Sequence, residues 1–187
     1  MFNVKDRVVV ITGGYGVLGA SMARCLSELG AHVVIVGRKA EKGEALVAEL
    51  SALGAEALFC KADVLDREAL IAAKEAIIGK WGRIDVLINA AGGNMPGATI
   101  MPDKNIFDLD IDAYRTVLDL NLVGTVIPTL VFGEVMAKNG KGSIINISSM
   151  SSQLSCTPAS TRRISATARS FSSSSRKNAR CASRLTR

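Results

Sequence analysis

A chain of 187 residues, 48% of them hydrophobic, is long enough for one domain with a real core and too short for two. Its net charge of +6 is held unevenly: residues 1–150 carry 15 Lys or Arg against 17 Asp or Glu, whereas residues 151–187 carry eight basic residues and no acidic one. Cys25, Cys60, Cys156 and Cys181 show no paired spacing and His32 is the only histidine, which argues against a metal site and for a reducing compartment. The charged start Lys5-Asp6-Arg7 enters an apolar strand with no signal-type region, and no apolar run approaches membrane-spanning length, so a soluble cytoplasmic protein is expected.

In chain order, Val8-Val9-Val10-Ile11 reads as a first strand ending in Thr12-Gly13-Gly14, and a helical pattern from about Gly16 to Leu29 closes at Gly30. Val33-Val34-Ile35-Val36 is a second strand. Leu46, Leu50 and Leu53 recur at helical spacing, and Ala57-Leu58-Phe59-Cys60 supplies a third strand. Asp66 can cap a helix carrying Leu70, Ala73, Ile77 and Ile78. Val86-Leu87-Ile88 then runs into Asn89-Ala90-Ala91-Gly92. A Gly/Pro/Met-rich loop from Gly93 to Lys104 leads to a long helix with Tyr114, Val117, Leu118, Leu122 and Val126, which Pro128 is expected to kink or re-cap. Ser143 to Ile147 is the fifth strand. Nearly continuous apolar strands alternating with helices imply an α/β fold, a Rossmann-type doubly wound parallel sheet truncated after the fifth strand. The expected organisation is a nucleotide-binding domain over residues 1–150 and a Ser/Arg-rich non-native or disordered tail over 151–187, where 11 serines and seven arginines stand without helix or strand period.

Gly14-Tyr15-Gly16-Val17-Leu18-Gly19 lies between the first strand and the first helix, where a dinucleotide fingerprint must lie to work. Glycines admit the pyrophosphate close to the backbone, and the helix N-terminus offers unpaired amides and a positive dipole end. The competing view, a glycine-rich connector without ligand, is disfavoured by that context. Gly13, Gly14, Gly16, Leu18 and Gly19 are therefore candidate cofactor-binding residues. The second strand ends in Gly37-Arg38-Lys39, with no acid to hold a ribose 2′-hydroxyl and a guanidinium free to pair with a 2′-phosphate. NADP(H) is thus favoured, with NAD(H) the second choice. Arg38 as a merely solvated surface charge is the structural alternative.

Together these residues resemble the short-chain dehydrogenase/reductase family, and the resemblance covers residues 7–150. Thr12-Gly13 opens the glycine motif, although the family usually has glycine where Val17 stands and here Gly16 comes one position early. The resemblance implies that Asp63 touches the adenine ring and that Asn89-Ala90-Ala91-Gly92 matches an Asn-Asn-Ala-Gly element, with Ala90 replacing the second Asn. It also implies that Asn121, in Asn121-Leu122-Val123-Gly124, is the active-site asparagine, and that Ser149 is the catalytic serine that hydrogen-bonds the substrate carbonyl or hydroxyl. Gly16-Val17-Leu18-Gly19, Ala91-Gly92-Gly93-Asn94, Phe107-Asp108-Leu109-Asp110 and Leu120 to Thr125 look like the branch of D-mannonate oxidoreductases or fructuronate reductases, which interconvert a keto sugar acid and its hydroxy acid. The resemblance further implies homo-oligomeric full-length relatives and a small-molecule substrate; the composition points away from a membrane, and one aromatic without a repeat in the basic tail disfavours a nucleic acid as partner.

In this family a tyrosine about a dozen residues past the serine is followed four positions later by a lysine that lowers its pKa for proton exchange. The two tyrosines here, Tyr15 and Tyr114, have Gly19 and Leu118 at that spacing, so the chain as given is expected to be inactive. The codons of Ser160 to Ser165, read one base earlier, can encode Tyr-Ser-Ala-x-Lys, and a frameshift shortly after Met150 is the leading explanation. Two other classes compete with it: a cofactor-binding homologue without catalysis, and a redox sensor with a basic nucleic-acid- or partner-binding tail.

Overall fold

The computed structural model describes residues 3–100 and 105–148. Five strands form one parallel sheet in the order β3-β2-β1-β4-β5. They are β1 (Val8–Thr12), β2 (His32–Gly37), β3 (Ala57–Lys61), β4 (Val86–Asn89) and β5 (Ser143–Asn146). All five stand where the sequence places them. The helices between them are α1 (Val17–Glu28), α2 (Ala40–Ala52), α3 (Arg67–Trp81), α4 (Ile111–Leu118) and α5 (Gly124–Lys138).

Strand period two sorts the core into two layers. Val8, Val10, Val34, Val36 and Leu87 face α3 and α5, burying Leu70, Ile77, Phe132 and Met136. Val9, Ile11, Val33, Ile35 and Ile88 face the other way and bury Ala23 of α1 with Leu46 and Leu50 of α2. A strand apolar at every position is what a sheet covered on both faces requires. The register Val10↔Val34 and Val10↔Leu87 puts β1 at the centre. Gly43 of α2 lets that helix close on β3, since a Cβ there would run into the Phe59 ring.

Local signals set the helix ends. Asp66 caps α3 by accepting from the Ala69 amide at 3.0 Å, and Gly82 ends it at φ +69°. Gly30 takes φ +81° just past α1. Across the helical layer, Glu134 of α5 accepts from Lys74 of α3 and from Lys138, which hold its carboxyl down at about 2.

The long helix departs from expectation. Pro128 lies inside α5 without ending it, and the irregularity comes earlier, as a π turn over Asp119–Val123 between α4 and α5. Proline at 128 cannot donate to the Gly124 carbonyl, yet the helix runs on through it. The helical stretch Ile111–Lys138 is long and apolar enough to cross a membrane by length and composition alone, a test that the core helix of a globular domain also passes. Its buried residues Val131, Phe132 and Met136 pack into the sheet's core.

Candidate cofactor site

Between β1 and β4 the chain reverses its winding direction, and the carboxyl ends of the strands open into a crevice there. The β1–α1 turn closes it from below. Gly13 has φ +64°, donates to the Val36 carbonyl at 2.8 Å, and would put a Cβ 2.8 Å from the Ala91 Cα. Gly19 backs the same turn, since a Cβ there would lie 2.6 Å from the Gly13 oxygen. No side chain at these positions would leave the turn intact. Gly16 is the N-cap of α1 and makes no side-chain cap, and the first turn holds no acid, which leaves the helix N-terminus open to an anion.

The ends of β1 and β4 are locked together. Thr12 Oγ1 accepts from the amides of Ala90 and Ala91 at 3.1 and 3.2 Å. Asn89, 2% exposed, donates through Nδ2 to Thr129 Oγ1 and Asn146 Oδ1, tying β4 to α5 and β5. Above them Asn121 sits in the π turn. Its Nδ2 donates to the carbonyls of Gly93 and Val117 at 2.7 and 2.8 Å, and its Oδ1 accepts from the Gly93 amide at 3.2 Å. Gly92 leaves room for that side chain, because a Cβ there would be 2.7 Å from Asn121 Oδ1.

The resulting cleft, of about 220 Å³, is lined by Gly13, Tyr15, Gly16, Gly37, Arg38, Ala62, Asp63, Val64, Ala90, Ala91, Gly92 and Leu120. Of the residues singled out in the sequence, Gly13, Gly16, Arg38, Asp63, Ala90 and Gly92 form its wall. Gly14, Gly19 and Asn89 shape it from behind, and Asn121 stands at the loop above. Leu18, 65% exposed on α1, is outside the lining. Ser149 lies outside the described residues. Arg38 Nη1 is 3.6 Å from Asp63 Oδ2, whose other oxygen accepts from the Leu65 amide. The sequence had not pointed to Tyr15 or Gly37. The phenol oxygen of Tyr15 accepts from the amides of Arg38 and Lys39, both at 3.0 Å, and its ring occupies the space that a Gly37 Cβ would need. The only available signal was an aromatic inside a glycine turn, opposite a strand ending in glycine.

A crevice with glycine walls, an uncapped helix N-terminus and a cation at its far corner suits an extended diphosphate ligand. It has the form of a Rossmann-type nucleotide-binding α/β domain. The short chain dehydrogenase profile matches residues 7–160, and the chain belongs to that family. It is 43% identical over 157 residues to the uncharacterized oxidoreductase UxuB of Bacillus subtilis, covering 80% of this chain and 56% of that protein. An uncharacterized oxidoreductase of Haemophilus influenzae is 32% identical over 158 residues, 79% of this chain and 55% of its own. Among solved structures, an NAD-bound protein of Haemophilus influenzae provisionally assigned as a D-mannonate oxidoreductase superposes with TM-score 0.71 at 34% identity, over 79% of this chain and 56% of that one. A short-chain dehydrogenase/reductase from Mycobacterium ulcerans gives 0.73 at 31%, over 80% and 54%. The chain thus spans little more than half the length of these relatives.

Proposed function

We propose that this chain is the cofactor-binding part of an enzyme that interconverts a keto sugar acid and its hydroxy sugar acid, with fructuronate and mannonate as reference substrates and NADP(H) favoured over NAD(H). The observation that carries the oxidoreductase reading is the glycine-walled cleft at the β1/β4 switch point, with Asn121 fixed above it. The sugar-acid class is supported by the likeness to the Haemophilus influenzae structure and by the motifs shared with that branch. A bound nicotinamide supplies or accepts the hydride. The Gly13–Gly19 turn and the α1 N-terminus would hold the diphosphate, Arg38 would pair with a 2′-phosphate, and Asp63 would border the adenine end. By resemblance, Ser149 polarises the substrate carbonyl. The 187 residues contain no Tyr-x-x-x-Lys pair, so this chain by itself binds cofactor and does not turn over.

Calorimetric titration with NADP⁺ and NAD⁺, followed by reduced-cofactor absorbance with fructuronate, tests this on the 187-residue chain and on a version with the other reading frame restored after Met150. Both should bind dinucleotide, and only the restored version should turn over. Arg38→Ala should weaken NADP⁺ more than NAD⁺, by about 1–3 kcal/mol. Turnover by the shorter chain would remove the inactivity claim, and a restored protein inert toward every sugar acid would remove the substrate class. Failure of both dinucleotides to bind would remove the whole assignment.

A further inference from the structure

We propose that Tyr15 is a cofactor-selectivity residue: its phenol takes, from within the chain, the pair of backbone donors that the 2′-phosphate of NADP(H) would otherwise use, and so holds NADP(H) affinity below what this corner can give. The inference rests on the cleft being a dinucleotide site.

The turn between β2 and α2 presents two successive amides, those of Arg38 and Lys39, and Lys39 is the N-cap of α2. Both donate to one oxygen at 3.0 Å. Adjacent amides converging on a point ahead of a helix N-terminus form an anion nest. Here the oxygen in the nest is a neutral phenol. A phosphate oxygen carries charge and gains more from the same two donors, but it must first displace the phenol.

That displacement is resisted by how the ring is seated. The ring fills the side-chain space of Gly37, and it packs against the apolar layer that includes Ile35 and Leu46. The other donor at this corner is easier to release. The Arg38 side chain is 69% exposed and meets Asp63 only at 3.6 Å, a contact water already weakens. Arg38 therefore turns readily to an incoming phosphate, while the amide pair stays occupied. The 2′-hydroxyl of NAD(H) bears no charge and has little to gain from the nest, so Tyr15 bears on one cofactor and spares the other.

Two substitutions on the full chain test this from opposite sides. Tyr15→Ser vacates the nest. Gly37→Ala leaves Tyr15 in place but puts a methyl group where its ring lies. Titrating wild type and both variants with NADP⁺ and NAD⁺ should show the ratio of NADP⁺ to NAD⁺ affinity rising about fivefold or more in Tyr15→Ser, through tighter NADP⁺ binding. Gly37→Ala should move the ratio in the same direction, and it decides alone if the serine variant does not fold. A ratio that stays put or falls while both cofactors bind overturns the role of Tyr15 and leaves the dinucleotide site standing. Binding of neither cofactor to any version overturns both.

Discussion

Arg38 and Asp85 each form an ion pair, yet their surroundings give the pairs different weights. Arg38 is exposed, its partner Asp63 is half-buried and the two meet only at 3.6 Å, so the pair's value to the folded state is small and the Arg38 charge is left for a ligand. Asp85 is 8% exposed and accepts from the Val8 amide at 3.0 Å, from Arg7 at 2.9 Å and from Arg83. Burial pushes its carboxyl up, but the hydrogen bonds from Arg83, Val8 and Arg7 outweigh that and hold it below the ordinary 3.8. A carboxyl lowered in the folded state contributes stability that is fully present above its unfolded value and lost as pH falls through the folded one. Asp85→Ala, which leaves the first amide of β1 without its acceptor, should therefore cost about 1–3 kcal/mol at neutral pH. Urea midpoints measured from pH 7 downward should show the gap to wild type closing as the pH drops below the ordinary aspartate range. A gap that persists undiminished in acid would mean that packing, and not the charge, holds β1 in place.

At the scale of elements, the π turn and the loop after β4 act as one unit because a single side chain joins them. Asn121 meets the Gly93 amide, the Gly93 carbonyl and the Val117 carbonyl. π turns leave backbone groups displaced from their regular partners, and side-chain bonds of this kind make up for it. Asn121→Ala should therefore loosen residues 92–100 before the sheet gives way. The expected result is faster hydrogen exchange at Gly93 and along the adjacent loop, with β1 and β2 unchanged and a loss of global stability of about 1–3 kcal/mol. Uniform acceleration across the sheet would refute a local role. The contrast with the strands shows what was legible in the sequence. Val8–Ile11, Val33–Val36 and Val86–Ile88 announce themselves because β-branched runs bounded by glycine or polar residues have few other structures open to them. Asp66 and Gly30 announce helix ends for equally local reasons. The π turn was not legible, since Asp119–Val123 carries an ordinary helical pattern and the proline that draws attention comes later. Nor was the seat of Tyr15, because it depends on Gly37, distant in sequence and brought near only by the β1–β2 pairing. The glycine wall of the cleft was legible as a motif, but the motif could not say which glycines touch the ligand space and which, like Gly19, let the turn fold beneath it.

Over the whole molecule, the sheet is finished unevenly. On one side β3 has α2 against it and Ala57 and Cys60 buried. On the other, among the described residues, β5 pairs with β4 alone, all four of its residues are exposed, and Ile144, Ile145 and Ile147 remain open to solvent. A parallel edge strand with apolar side chains on both faces is a template for further pairing. Doubly wound sheets of this order continue past the fifth strand, and the relatives are nearly twice as long as the matched region. The 187-residue chain should therefore self-associate at micromolar concentration, and a lysine on β5 should suppress this, since a charge on an edge opposes pairing. Ile145→Lys is the substitution of choice because β5 lies away from the cleft lining, so NADP⁺ and NAD⁺ affinities should be unchanged. The same lysine should act in the opposite sense in the version with the reading frame restored after Met150. There the following strand would cover β5, and an unpaired ammonium forced between strand and helix would destabilise the fold. Light scattering on the shorter chain and thermal denaturation of the longer one read the two effects separately. Lower aggregation in the first together with a lower midpoint in the second is expected, whereas a lysine that is harmless in both would show that β5 is not the surface through which the shorter chain associates.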